Sequence, residues 1–441
     1  MDLVDAHIGR RLVDRLVGFS LSGLTSSLLR LKRLSVGRVQ SVAVSIIKDK
    51  EDEINAFIPK EYWNINGEFS KNDIQYSAKL HEIDGISGKD LVITNSDEAS
   101  KAQNELENLK FKISSIKSST RKTKPRPPFT TSSLQQDASS RLRLSPSRTM
   151  SLSQQLFQGI NLGNGEEGLI TYMRTDSTAL SSESLNEIGS FIQNSYGDDY
   201  YAQRKYKTTS ANAQEAHEAI RPTSIQRTPE SIKSFLDDDQ YKLYDLIWKR
   251  TVSSQMSESE NKKTTIITTS TDKKYGFKSD YDELVFDGFK KLFPEKETEK
   301  MPNVSENDSI NLESIIKEQK FTQHPPRYSE ASLIKTMEDL GVGRPSTYAS
   351  ILNTIKEKKY VWVINRSIYL SPIGNVLVEE IKKDFSKEFM DYKFTEKMEN
   401  DLDSISNGSL KRSEFVKSFW KNFEPIKNNL EKRSKENPRN P

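Results

Sequence analysis

The stretch Gly168-Leu-Ile-Thr-Tyr-Met-Arg-Thr-Asp-Ser177 places one phenol, Tyr172, two residues before one cation, Arg174. Gly168 to Met173 is apolar and β-prone, and Asp176 and Ser177 are good helix N-caps for the segment Ser182 to Phe191. The pattern predicts Tyr172 at a strand-to-helix junction, its side chain directed into a cleft. A tyrosine hydroxyl, with an ordinary pKa of about 10, is a weak nucleophile. A neighbouring cation favours phenolate and neutralises charge building on an attacked phosphate, so Arg174 suits Tyr172 to phosphoryl chemistry. On these residues alone the pair also reads as a half-buried strand tyrosine beside a surface arginine.

Outward from this stretch, 441 residues at about 150 per domain make roughly three domains. A mean hydropathy of −0.71 and 29% charged residues describe a soluble chain. No apolar run approaches the ~20 residues of a membrane span, and Met-Asp-Leu-Val-Asp does not resemble a signal peptide. A cytoplasmic protein with no membrane partner is expected. The absence of cysteine excludes a disulfide framework and thiolate metal sites, and histidines at 7, 81, 217 and 324 are too scattered for a zinc motif. The net charge of +3 says little, but Lys112 to Arg174 holds ten basic residues against three acidic. That excess suits a phosphate backbone, or a solvated linker, since Arg121 to Pro128 is also proline-rich.

Apolar residues at helical spacing from Val39 to Phe57, after Ser35 and before Pro59, predict a helix. Short β-like runs follow at Tyr62 to Phe69, Ile74 to Leu80 and Leu91 to Ile93, then a helix capped by Ser96 and a strand at Phe111 to Ile116. Helical patterns run from Thr131 to about Met256, and β character returns at Thr264 to Thr269 and Leu284 to Phe289. The last region carries helix signals at Ser329 to Leu340, a Gly341-Val-Gly343 turn, a helix from Ser346 to Lys358, and β-prone runs at Tyr360 to Ile364 and Ser367 to Leu370. This order resembles a winged helix, or an ordinary helical hairpin, with Arg344, Ser346, Thr347 and Tyr348 placed to bind phosphate at a helix start. The polar tail from Lys427 predicts disorder.

Two further clusters carry chemistry. Ala213-Gln-Glu-Ala-His-Glu-Ala-Ile-Arg-Pro-Thr223 sets His217 and Arg221 four apart, on one face if the segment is helical. His217 there is either a donor to phosphate or a proton carrier, or a structural histidine. Leu34-Ser-Val-Gly-Arg-Val-Gln-Ser-Val-Ala43 follows the run Arg10, Arg11, Asp14, Arg15 and offers Arg38 and Gln40 at a helix start.

Together these stretches resemble the type IA DNA topoisomerases, in particular the bacterial topoisomerase I family. The matching blocks are Arg10 to Gly18, Leu34 to Val44, Pro128 to Gln136, Gly168 to Ser177, Ala213 to Thr223, and Pro325 to Leu333 with Gly341 to Tyr348. The resemblance implies a multidomain α+β fold: a toroidal gate of mainly helical domains and a β-rich arch, with winged-helix-like elements. On that pattern residues 1–58 and 316–430 form a helical DNA-binding domain, 59–128 and 258–315 the arch, 129–257 the tyrosine-bearing domain, and 431–441 a disordered tail. It implies ATP-independent relaxation of negatively supercoiled DNA. Tyr172 would cut one strand through a 5′ phosphotyrosine, Arg174 would stabilise the transition state, and His217 and Arg221 would act near the scissile phosphate. Arg10, Arg11, Asp14, Arg15, Ser35, Arg38 and Gln40 match the family's groove for single-stranded DNA, whose pocket usually prefers cytosine. Phe19 stands where many relatives carry tyrosine, so weaker base preference is expected. Thr175, Asp176, Arg327, Arg344 and Ser346 are further expected DNA contacts.

The family's Toprim domain, which supplies a catalytic glutamate, a lysine and the acidic cluster for magnesium, has no counterpart in these blocks, and zinc ribbons are excluded by the lack of cysteine. No metal ligands are expected within this chain, since Asp237-Asp-Asp239 reads as a solvated helix face. The expected partners are DNA, chiefly single-stranded or negatively supercoiled, and a separate Toprim polypeptide carrying Mg2+, the chain being otherwise monomeric. The alternative is a catalytically inactive single-strand-binding gate fragment.

Overall fold

The structure, a computed structural model, describes residues 2–31, 34–72, 74–163, 165–206, 218–295, 299–385 and 392–436. Helices α1 (Asp2–Leu28) and α2 (Gln40–Asn55) open the chain. Strands β1 (Glu61–Lys71), β2 (Ile74–Ile83) and β3 (Ile86–Ser87), helix α3 (Ser96–Leu106) and strand β4 (Phe111–Thr123) follow. The middle contains α4 (Thr131–Asp137), α5 (Pro146–Gln158), the two-residue strands β5 (Ile160–Asn161) and β6 (Glu166–Glu167), α6 (Ser182–Tyr196), α7 (Pro229–Ile232) and α8 (Asp238–Ser254). Strands β7 (Ser259–Ser270), β8 (Tyr275–Phe286) and β9 (Ser309–Phe321) precede α9 (Glu330–Asp339), α10 (Tyr348–Glu357), the hairpin β10 (Val361–Ile364) and β11 (Ser367–Leu370), α11 (Pro372–Phe385), α12 (Tyr392–Ser406) and α13 (Arg412–Glu436).

Three apolar cores organise these elements, and two of them draw on separated stretches of chain. Val13, Val17 and Leu21 recur every four residues on α1 and pack in one core with residues of α2 and of α9 to α13, including Leu402, Ile405, Phe419 and Phe423. A second core spans Phe129 to Met256, around Leu152, Ile188, Tyr244 and Ile247. The third fills the sheet, where Phe69 meets Phe111 and Phe277 edge-on at 5.3 and 5.1 Å between centroids. The chain thus leaves the first core after α2 and the sheet after β4, and returns to each.

The long strands pair antiparallel in the order β1-β9-β4-β7-β8-β2, and β2 also pairs β1, so the pairings close into a ring. Closure gives each long strand a partner on either side, although β4 and β9 meet over only two residue pairs. It also explains three departures from the sequence-based expectations. Strand β9 runs on to Phe321, past the boundary at 315, because Glu61 to Ile65 of β1 need partners there. Strand β4 extends to Thr123, where β7 matches it residue for residue, and β8 begins at Tyr275 rather than Leu284. Leu91 to Ile93 contributes only a bridge from Ile93 to Trp63. Asn95, one residue before Ser96, caps α3 by accepting from the Glu98 N–H.

The helix, turn, helix and hairpin of the last region are present. Ser329 caps α9 reciprocally with Ser332, and Gly341 and Gly343 take φ of 66° and 88° in the turn. Asn365 and Arg366, at φ 49° and 66°, make the two-residue reversal that suits a twisted hairpin. The expected disorder from Lys427 is corrected as far as Glu436, where α13 ends, because Phe423 and Leu430 are buried and Arg433 pairs with Glu380 of α11; residues 437–441 lie outside the described ones. Between the first two cores, α4 packs on α9 and α5 on α10. Among the described residues, no helix is long and apolar enough to cross a membrane.

Candidate functional site

The Gly168 to Ser177 stretch is not a strand leading into a helix. It makes a single bridge, Ile170 to Pro222, then runs extended until Ser181 caps α6 by accepting from the Ser184 N–H. Ser181, rather than Asp176 or Ser177, is therefore the cap of α6. Hydrogen bonds to three neighbours, the end of α5, residues 219–221 and Thr131, replace a ladder. On one side the Leu169 N–H donates to the Leu156 carbonyl at 2.7 Å, the Thr171 N–H to the Arg221 carbonyl at 2.9 Å, and the Thr171 hydroxyl to the Ala219 carbonyl at 2.6 Å. On the other, the Thr131 N–H donates to the Thr175 carbonyl at 2.9 Å, and the Thr131 hydroxyl accepts the Thr175 N–H at 2.9 Å. The same hydroxyl lies 2.7 Å from the Met173 carbonyl, to which it donates. Gly168 is required by proximity, since a Cβ there would sit 2.7 Å from the Phe157 carbonyl.

Leu169, Ile170, Met173 and Thr175 point inward and are buried, while Tyr172 and Arg174 point outward. Tyr172 is 46% exposed, and its ring meets Phe157 edge-on at 5.4 Å. Among the described residues no side chain hydrogen-bonds the Tyr172 hydroxyl or pairs with Arg174. A phenol and a guanidinium thus stand open on a backbone held firmly on both sides, which is the preorganisation that attack on a bound phosphate requires.

Arg221 does not lie on a helix. Residues 218–222 are extended, and Arg221 forks onto Glu218 at 3.1 and 2.6 Å and donates to the Pro222 carbonyl at 2.8 Å. Glu218 also accepts the Ser181 N–H at 2.7 Å. Burial pushes the Glu218 carboxyl up, but Arg221 and Ser181 outweigh it and hold the pKa below the ordinary value. His217 lies outside the described residues.

At the seam between the two helical cores, the Ser132 hydroxyl donates to Glu338 of α9 at 2.8 Å. Burial holds the Glu338 carboxyl above its ordinary pKa, and the charges of Asp339 and Asp176 reinforce the shift against Ser132 and Lys335. Burial likewise raises the Tyr348 phenol, which feels Glu338, Arg344, Glu399 and Asp176. The tyrosine loop and the start of α10 therefore share one electrostatic neighbourhood.

Beyond α10 lies a cavity of about 320 Å³ that gathers Arg10, Asp14, Ser35, Arg38 and Gln40, five of the expected groove residues, with Thr347. Gln40 donates to the Ser35 hydroxyl at 2.9 Å. Arg11, Arg15 and Phe19 follow one another every four residues on α1 and are exposed, Phe19 to 82%, outside the cavity lining. Other expected contacts are otherwise engaged. Arg38 is buried between Asp14 and Glu399, and Arg344 is held by Asp403 at 2.7 Å and Asn400 at 3.1 Å. Arg327 forks onto Glu51 and stacks on Tyr369, joining α2 to the wing hairpin. Thr175 is turned inward as the partner of Thr131, and Ser346 is exposed just before α10.

Sequence reasoning assigned no role to Thr131, Glu218, Glu338 or Glu399. Thr131 lay within a quoted block, and Glu399 and Asp403 sit four apart on one helix, a spacing visible without coordinates. Asp237 caps α8 with Gln240, and Asp239 pairs with Arg148. Among the described residues no three acidic or histidine side chains converge as a metal site.

A family model described as DNA topoisomerase matches residues 1–417. DNA topoisomerase 1 of Xylella fastidiosa is 41% identical over 96% of this chain and 54% of its own length, and that of Rickettsia bellii is 40% identical over 99% and 55%. The chain thus spans about half the length of these curated relatives. The structure of full-length topoisomerase I from Thermotoga maritima superposes with a TM-score of 0.83 at 34% identity, over 96% of this chain and 68% of that one.

Proposed function

Because this chain belongs to the type IA DNA topoisomerase I family, we propose that it is the strand-cleaving and gate portion of such an enzyme, and relaxes negatively supercoiled DNA without ATP. The observation that carries this reading is the Tyr172 loop, an exposed phenol and an exposed guanidinium on a backbone fixed by Thr131 on one side and by residues 219–221 on the other. The Tyr172 oxygen attacks a backbone phosphorus of single-stranded DNA. A P–O bond forms to tyrosine as the bond to the 3′ oxygen breaks, so the 5′ phosphate stays on the protein. The phenol proton is lost and the departing 3′ oxygen gains one. Arg174 offsets charge on the non-bridging oxygens, and Arg221, oriented by Glu218, contacts the strand nearby. Attack by the 3′ hydroxyl reverses the step, and one ester replaces another, which is why no ATP is consumed.

Magnesium in this family is implied on the Toprim domain, and the described residues of this chain offer no site that fits it. No step is therefore routed through the metal, and a Toprim domain, on this or a separate polypeptide, completes the reaction. The cavity of Arg10, Ser35, Arg38 and Gln40 receives single-stranded DNA upstream of the cut, in the cytoplasm with the chromosome. With a Toprim polypeptide, magnesium and single-stranded DNA, wild-type protein is expected to form an SDS-stable adduct that Tyr172→Phe abolishes. Binding without any adduct would favour a purely DNA-gripping gate.

A further inference from the structure

Away from the tyrosine loop, buried charge is concentrated at Glu399 of α12. Its side chain is fully buried, and it receives Arg10 through both guanidinium nitrogens, Nη1 to Oε1 at 3.0 Å and Nη2 to Oε2 at 2.7 Å. Arg38 Nη1 reaches the same Oε1 at 2.6 Å, and Arg38 Nε reaches Asp14 at 3.1 Å. The charge of Arg344, itself tied to Asp403, also acts on Glu399. An ion cluster removed from water pays heavily in desolvation, and an apolar cluster of the same volume would stabilise the fold as well. Stability is thus a poor reason for Glu399.

Its partners supply a better one. Arg10, Arg38 and Asp14 line the cavity of about 320 Å³ together with Ser35, Gln40 and Thr347. Arg10 keeps a quarter of its side chain exposed while both its terminal nitrogens are spoken for, so the guanidinium plane is fixed but reachable. Long arginine side chains lose rotamer freedom when they order on a ligand, and a buried fork-to-fork partner removes that freedom beforehand. Because Glu399 also cancels positive charge, what it contributes is orientation rather than attraction for phosphate.

We propose that Glu399 is a positioning residue of the single-strand groove: by gripping Arg10 and Arg38 from behind, it shapes the pocket wall against which one unpaired nucleobase is held. This rests on the groove reading of the proposed function. Glu399 itself, having no solvent contact, does not touch DNA.

The test uses the full chain and a set of single-stranded oligonucleotides, each lacking the base at one successive position, with binding followed by fluorescence anisotropy. For wild type, one abasic position is expected to weaken binding about tenfold or more, by loss of the stacked and hydrogen-bonded base. For Glu399→Gln the loss is expected to fall below about threefold at every position, with a salt dependence no shallower than that of wild type, since the backbone contacts remain. A merely structural role would weaken intact and abasic strands alike and leave their ratio unchanged. Should Glu399→Gln fail to fold, Arg10→Lys, which keeps the charge and loses the fork, is expected to show the same flattening. Full discrimination retained in the folded variants would overturn the proposal. A wild type that binds with no position-dependent loss would overturn it too while leaving the groove standing, whereas a wild type that binds no single-stranded DNA would sink the groove reading itself.

Discussion

Thr131 and Thr175 close on one another through both backbone groups. The Thr131 N–H donates to the Thr175 carbonyl at 2.9 Å, and the Thr175 N–H donates to the Thr131 hydroxyl at 2.9 Å. Both residues are buried, at 0% and 2% exposure, so this pair seats the tyrosine loop on the first turn of α4 out of reach of water.

Replacing that hydroxyl by a methyl tests the seat. Thr131→Val leaves the Thr175 N–H buried without its acceptor, at a cost of about 1–3 kcal/mol. Thermal unfolding should register a lowered midpoint. Cleavage should slow more than single-strand affinity falls, because the loop positions Tyr172 and does not grip the strand. Thr131→Ser should restore both, and a Thr131→Val protein with wild-type cleavage would show that the loop is held elsewhere.

Arg174 is exposed and two residues from Tyr172, which separates its chemistry from the fold. Arg174→Ala should change stability by no more than about 0.5 kcal/mol, as surface substitutions do. Adduct formation should slow by about 100-fold, the usual loss on removing one transition-state donor, while the dissociation constant for single-stranded DNA moves less than about threefold. Equal losses in affinity and rate would make Arg174 a simple phosphate contact.

Acid titration reports on Glu399. Burial pushes this carboxyl up, but the charges of Arg38 and Arg10 outweigh it and bring the pKa down to about 2 from an ordinary 4.5. A depressed carboxylate stabilises the fold above its unfolded pKa and loses that contribution as pH falls through the folded one. The contribution is about 3 kcal/mol, vanishing between pH of about 4.5 and about 2. Denaturant unfolding should therefore show a gap between wild type and Glu399→Gln that is flat above pH of about 5 and narrows below it. A gap independent of pH would place the ionised carboxylate elsewhere.

The arginines divide into two groups by burial. Arg11 and Arg15 face solvent on α1, whereas Arg38 is 2% exposed, with its Nε held by Asp14 and its Nη1 by Glu399. Arg11→Gln and Arg15→Gln should each reduce the salt dependence of single-strand binding by about 0.7, one phosphate contact apiece. Arg38→Ala should instead lower the melting temperature, because it leaves Glu399 with one cation fewer in the interior. An unaltered slope in both surface variants would remove α1 from the DNA path.

The division between what was and was not legible in the sequence follows the range of the interactions. The Tyr172 and Arg174 pair and the helix-turn-helix with its Asn365-Arg366 hairpin could be read from local pattern, and the chain's departure from and return to two of its cores was implied by the family resemblance. The seating of Gly168 to Ser177 could not, because its partners are Thr131 on α4, the Leu156 carbonyl and the carbonyls of 219 and 221 rather than a strand. Arg10 and Arg38 read as free phosphate ligands because the acid that holds them stands 389 and 361 residues away in sequence. The tail read as disordered because charges outnumber apolar residues there, yet Leu430 is buried in the first core and continues the apolar face of α13 set by Phe415, Phe419 and Phe423.

The most direct measurement of the central claim is end-label transfer. Single-stranded DNA labelled at its 3′ end, and the same strand labelled at its 5′ end, are each incubated with the chain, a Toprim polypeptide and magnesium, denatured, and digested with trypsin. A 5′ phosphotyrosine predicts that only the 3′ label travels with protein, on the peptide that contains Tyr172, and that Tyr172→Phe carries none. A 5′ label on the protein, or a labelled peptide that does not include Tyr172, would contradict the account.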